Sequence, residues 1–72
     1  MDPQVTWEVL LESIADCNYA EAREMAETLL SWLDRGGFPP QTLPRVLSND
    51  QDRTICLFVC RQVLTEWTIK ES

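Results

Sequence analysis

The chain has 72 residues and a net charge of −6, and its 44% hydrophobic and 25% charged residues predict one small globular domain. Direct binding of nucleic acid is not expected, because such a protein needs Lys and Arg to neutralise phosphates. The longest apolar run, residues 55–60, is far shorter than the roughly 20 residues of a membrane span. No basic region precedes an apolar one at the N-terminus, so no secretory signal is indicated. We therefore expect a cytoplasmic protein that does not bind membranes.

The first helix is predicted over residues 3–17, because Asp2 is a favourable N-cap and Pro3 a favourable first residue. Three acids, Glu8, Glu12 and Asp16, follow one another at four-residue steps on its polar side. Such like-charge pairs destabilise a helix by roughly 0.2–0.5 kcal/mol each, so the acids are either a solubilising surface or an acidic contact surface. The apolar stripe of this helix comprises Trp7, Leu10, Leu11, Ile14, Ala15 and Cys17.

The second helix is predicted over residues 19–35. Asn18 is its N-cap and Glu21 the expected capping-box partner, and Gly36 provides a left-handed residue at its end. Its apolar face comprises Tyr19, Ala22, Met25, Ala26, Leu29, Leu30, Trp32 and Leu33.

The connection between the second and third helices is rich in proline. Its apolar side chains are expected to pack onto the core, and the sequence around Pro44 would allow a short extra helix, since proline is tolerated in a first turn. The apolar residues in question are Phe38, Leu43, Val46 and Leu47. With a third helix over residues 50–69, the chain is predicted to be an all-α, three-helix bundle forming a single domain over residues 1–72.

The third helix has an unusually wide apolar arc. Its main stripe contains Cys56, Leu57, Val59, Cys60, Val63, Leu64 and Trp67, and the arc is extended by Ile55, Phe58 and Ile69. A helix that is apolar on most of its circumference is either central or covered by another chain. Two explanations remain open: the connection folds over the extension, or Ile55, Phe58 and Ile69 contact a partner protein or a second copy of the chain.

Nothing in the sequence indicates an enzyme or a cofactor. Histidine, the commonest general base, is absent, and the two adjacent glycines match no phosphate-binding loop. The three cysteines, Cys17, Cys56 and Cys60, lie on the predicted apolar stripes and are expected to pack in the core. A zinc or redox sensor built from them is the alternative, although a structural zinc site usually has four Cys or His ligands.

The segment Trp32-Leu33-Asp34-Arg35-Gly36-Gly37-Phe38-Pro39-Pro40 resembles the helix end of short, uncharacterised bacterial helical proteins. This resemblance covers nine residues and implies a bacterial origin, and it brings no activity, cofactor or binding residue with it.

The sequence therefore predicts a small, non-enzymatic module that binds a protein partner or itself, in the latter case as a homodimer formed through the third helix. An alternative is an acidic inhibitor of a basic or nucleic-acid-binding protein. It rests on the uneven charge of the chain, because residues 1–34 carry eight acids against Arg23 alone.

Overall fold

The structure, a computed structural model, describes residues 1–67, with side chains up to Thr65. It contains α1 (Pro3–Ala15), α2 (Tyr19–Asp34) and α3 (Asn49–Gln62), and α3 continues into a π-helical turn over Val63–Trp67. The prediction of an all-α, three-helix protein is confirmed. The central element is α2, which packs against α1 on one side and against α3 and the π-helical turn on the other. No described helix is long and apolar enough to cross a membrane.

The core is built around the buried face of α2. Two of its residues there are alanines, Ala22 and Ala26, whose small side chains let the neighbouring helices approach closely, while leucines fill the space further along. The buried apolar residues are Trp7, Leu10, Ala22, Ala26, Leu29, Leu33, Cys56, Cys60 and Val63. Pro40 of the connection is also fully buried.

The first helix ends two residues earlier than predicted, because Cys17 adopts a left-handed conformation with φ = 56°. The Cys17 N–H donates to the Ile14 carbonyl over 3.1 Å, and the Asn18 N–H donates to the Ser13 carbonyl over 2.8 Å. This is the Schellman arrangement, which usually has glycine where this chain has cysteine. The turn leaves Cys17 exposed, so its predicted place in the core is wrong, and so is that of the exposed Leu11 and Ala15.

The start of α2 differs from the predicted capping box in one respect. The Asn18 side chain caps the helix by accepting from the Glu21 N–H, but the Glu21 carboxylate meets the Ser13 hydroxyl, with 2.6 Å between Glu21 Oε1 and Ser13 Oγ. Ser13 is almost fully buried and lies 2.8 Å from the Val9 carbonyl as well. The Glu21 side chain thus makes a polar contact with α1 and does not accept the Asn18 N–H, which would have completed the capping box.

The end of α2 follows the expected helix-stop chemistry. Gly36 has φ = 83° and donates its N–H to the Leu33 carbonyl, and Gly37 donates to the Trp32 carbonyl, both over 3.0 Å. These two bonds complete a Schellman motif, which satisfies carbonyl groups that a helix end would otherwise leave unpaired.

The connection, residues 35–48, packs differently from the prediction. Phe38, Leu43 and Val46 are 75%, 53% and 72% exposed, so the expectation that they anchor the connection to the core is wrong, and only Leu47 is half-buried. The described connection also contains no extra helix. A turn over residues 44–46, closed by a bond from the Val46 N–H to the Leu43 carbonyl, stands where it was expected.

Hydrogen bonds from all three helices hold the connection in place. The Trp32 Nε1–H of α2 donates to the Phe38 carbonyl over 2.7 Å. From α1, the Gln4 side chain accepts from the Gln41 N–H over 2.8 Å and donates to the carbonyl of the same residue. These bonds leave the apolar side chains of the connection free to face solvent.

The third anchor of the connection is Asp52 of α3, which is only 2% exposed. One oxygen of its carboxyl group accepts both the Thr42 N–H, over 3.0 Å, and the Thr42 hydroxyl, over 2.7 Å. A Ser48–Gln51 capping box starts the helix in front of it. Neither the burial of Asp52 nor the capping box was predicted from the sequence.

Candidate functional site

Phe58 lies on the solvent side of α3. The buried residues of this helix are Asp52, Cys56 and Cys60, and Phe58 is 63% exposed on the opposite side. The connection therefore does not cover Phe58. Ile55 is half-buried, and Ile69 lies outside the described residues.

The predicted acidic surface is exposed along α1. Glu8, Glu12 and Asp16 are all exposed, and Val5, at 52% exposure, lies on the same side of the helix, two turns before Glu12. Glu8 and Asp16 are eight positions apart, and because Asp16 is the C-cap directly after α1, the two acids span about 12 Å along the helix axis. The α1 acidic face, as we call these three acids with Val5, combines negative charge with an exposed apolar side chain.

A cleft of about 520 Å³ lies between α2 and α3, and sequence reasoning did not predict it. Its lining residues are Leu30, Ser31, Asp34, Arg53, Leu57 and Arg61. The three contributed by α3 recur every four residues and so form one stripe of arginine, leucine and arginine. That spacing was visible in the sequence, but the side of α3 that would face α2 was not.

Arg53 is held in place at one end of this cleft. Its Nη2 donates to the Leu33 carbonyl over 3.1 Å, so the guanidinium group of α3 binds a carbonyl at the end of α2 that also accepts the Gly36 N–H. A guanidinium group has five N–H donors, and this bond uses one of them. Arg53 therefore keeps donors available for a further acceptor.

The charges around the cleft are unpaired within the described part of the chain. There, neither Arg53 nor Arg61 forms an ion pair, and Asp34 has none either. Arg61 is exposed and Arg53 half-buried. Two positive groups stand about 12 Å apart along α3, with Leu57 between them and Leu30 across the cleft. The arrangement suits a ligand that is both acidic and apolar.

The cysteines divide into a buried pair and one exposed residue. Cys56 and Cys60 are fully buried, as predicted, one turn apart on α3, whereas Cys17 is exposed at the end of α1. The hydrogen bond with Cys60 and the burial of the site raise the pKa of the Cys56 thiol. Across the residues that the structure describes, no three His, Cys, Asp or Glu side chains are grouped to hold a metal ion.

Alkylation should distinguish these cysteines. We expect iodoacetamide near neutral pH to modify Cys17 in the native protein and to leave Cys56 and Cys60 unmodified, because the thiolate is the reacting species and burial excludes the reagent. Intact-mass spectrometry should show one adduct before denaturation and three after it. The Cys17→Ser variant, as a control, should show none while folded. Equal labelling rates for all three thiols would contradict the expectation.

No protein-family model, curated protein or solved structure matches the chain.

Proposed function

We propose that this protein is a small, non-enzymatic interaction module that binds a protein through the exposed side of α3, with Phe58 and the neighbouring Ile55 in the contact. One observation carries the proposal: Phe58 is 63% exposed in the middle of a helix whose opposite side forms the core. Covering such a side chain is worth roughly 1.5–3 kcal/mol, which is a useful contribution to binding.

The apolar surface of the described chain extends beyond Phe58. Phe38 and Val46 are more exposed still, and Leu43 is about as exposed as Val5. Aromatic side chains are enriched where proteins bind one another, because they bury a large area with few rotatable bonds. The chain therefore offers several apolar groups to a partner on a small body.

The chemistry of the site supports binding without catalysis. The acids of α1 are exposed, the cysteine pair is buried, and the sequence has no histidine. A net charge of −6 further favours a protein partner over nucleic acid, whose phosphates would be repelled. We propose no cofactor.

Photocrosslinking in the source cells tests the proposal. A photoreactive phenylalanine analogue at position 58 should give a discrete adduct with a protein, because a partner covering Phe58 would lie within reach of the probe. The same analogue in place of Ala20, which is exposed in the first turn of α2 about 15 Å along the helix from Leu30, is the control and should give no adduct of that mass. The absence of any protein adduct from position 58, with the protein folded and expressed, would overturn the proposal.

A further inference from the structure

We propose that the partner is a second copy of this chain, and that the cleft between α2 and α3 of each copy receives the α1 acidic face of the other. The inference rests on the proposed function, which it deepens by naming the partner. Phe58 precedes Arg61 by three residues, so the exposed side of α3 and the edge of the cleft are continuous.

The spacing of the charges supports this pairing. Arg53 and Arg61 are eight residues apart on α3, and Glu8 and Asp16 are eight residues apart along α1. Both pairs therefore span about 12 Å along the helix axis. An α1 helix lying along the cleft can bring its terminal acids to the two guanidinium groups at once.

The same contact explains why the α1 acids and the two arginines of the cleft have no ion-pair partner within the described part of one chain. Three acids at four-residue steps repel one another along α1, which costs roughly 0.2–0.5 kcal/mol for each pair. In the described part of the chain the two arginines of the cleft have no carboxylate partner either. The α1 acids could therefore pair with these arginines, and charge-assisted bonds from arginine to carboxylate are among the stronger polar contacts.

Apolar groups accompany the charges on both surfaces. Leu30 and Leu57 line the cleft, and Val5 lies within the α1 acidic face with 52% exposure. When each copy places its α1 acidic face in the cleft of the other across a two-fold axis, each contact forms twice, so a modest patch yields a doubled interface.

The salt dependence of dimerisation distinguishes this contact from nonspecific self-association. Two chains of net charge −6 repel each other, so added salt would by itself strengthen self-association by screening that repulsion. Docking of complementary charges predicts the opposite. We expect the dimer dissociation constant, measured by sedimentation equilibrium, to rise as salt is added.

Charge reversal supplies the decisive test. Arg61 is exposed, and Glu12 lies midway along the acidic face, one helical turn (about 6 Å) from the acid that meets Arg61 in either orientation of α1. Arg61→Glu alone and Glu12→Arg alone should each raise the dimer dissociation constant about tenfold or more, the equivalent of about 1.4 kcal/mol. The double variant, and an equimolar mixture of the two single variants, should restore dimerisation.

Arg45→Glu, which makes the same charge change on the exposed connection, is the matched control and should leave the dissociation constant within about twofold. The inference is overturned if the natural chain stays monomeric in low salt at every concentration, or if the double variant does not dimerise. Either result leaves the proposed function standing, since that is decided by whether position 58 crosslinks to a protein of any kind.

Discussion

The Asp52→Ala variant is expected to lose about 2–3 kcal/mol of unfolding free energy. Asp52 is almost fully buried, and its carboxyl group accepts both the N–H and the hydroxyl of Thr42. Hydrogen bonds to charged groups contribute about 1.5–3 kcal/mol, and removing the acceptor leaves the partly buried donors of Thr42 unpaired. For a domain of this size the loss is a large share of the whole stability, and urea denaturation would measure it.

The matched control for this variant is Asp50→Ala. Asp50 is also an acid in the first turn of α3, but it is exposed. Its removal should cost only about 0.3–1 kcal/mol, the usual contribution of an acid at the positive end of a helix. Equal losses in the two variants would mean that Asp52 acts through its charge at the helix start and does not anchor the connection.

The Gly37→Ala variant is expected to lose about 2–4 kcal/mol of unfolding free energy. A methyl group on Gly37 would overlap the Trp32 indole, which cannot move aside without losing its hydrogen bond to the Phe38 carbonyl. Overpacking typically costs 1–3 kcal/mol, and a lost hydrogen bond about 0.5–1.5 kcal/mol. Denaturation measures the loss, and near-ultraviolet circular dichroism should report the displaced indole.

The Gly36→Ala variant distinguishes the roles of the two adjacent glycines. Gly36 has open space where a methyl group would stand, and only its left-handed conformation disfavours alanine. We therefore expect a loss of about 1–2 kcal/mol with an unchanged aromatic spectrum. If Gly37→Ala also left that spectrum unchanged, the contact with Trp32 would not be the cause of its instability.

The helices could be predicted from the sequence because their signals are local. The periodicity of α2, the Asp2–Pro3 start of α1 and the Gly36 helix stop each act within a few residues, and the structure has all of them. The exception is also instructive. Cys17 occupies a left-handed position that glycine usually takes, so no residue type marked the true end of α1.

The connection could not be predicted, because its packing depends on residues far away in the chain. Gln4 and Asp52 provide the groups that bind Gln41 and Thr42, and once these polar bonds fix the backbone, the apolar side chains need not face inwards. The general rule that apolar residues are buried therefore predicted that Phe38 packs on the core, whereas it is exposed.

The sequence predicted one part of the candidate site and missed the other. The wide apolar arc of α3 pointed to Phe58, and the α1 acids were recognised as a possible contact surface. The cleft required knowledge of which flank of α3 faces α2, since the stripe of Arg53, Leu57 and Arg61 becomes a binding surface only when Leu30 stands opposite. Helix periodicity defines a buried side, but it does not say how two helices are rotated about each other.

The central position of α2 has a consequence for how the chain folds. Each of the main helix pairings in the described fold joins neighbours in sequence, first α1 with α2 and then α2 with α3. Contacts that are mostly local give a low contact order, and helical proteins of this kind reach the native state within microseconds to milliseconds. The bonds between Gln4 and Gln41 close the longest loop among the described side-chain hydrogen bonds, 37 residues apart in sequence. Forming these hydrogen bonds brings the N-terminus of α1 onto the connection. Because closing this loop has an entropic cost, the bonds are a natural last step of folding.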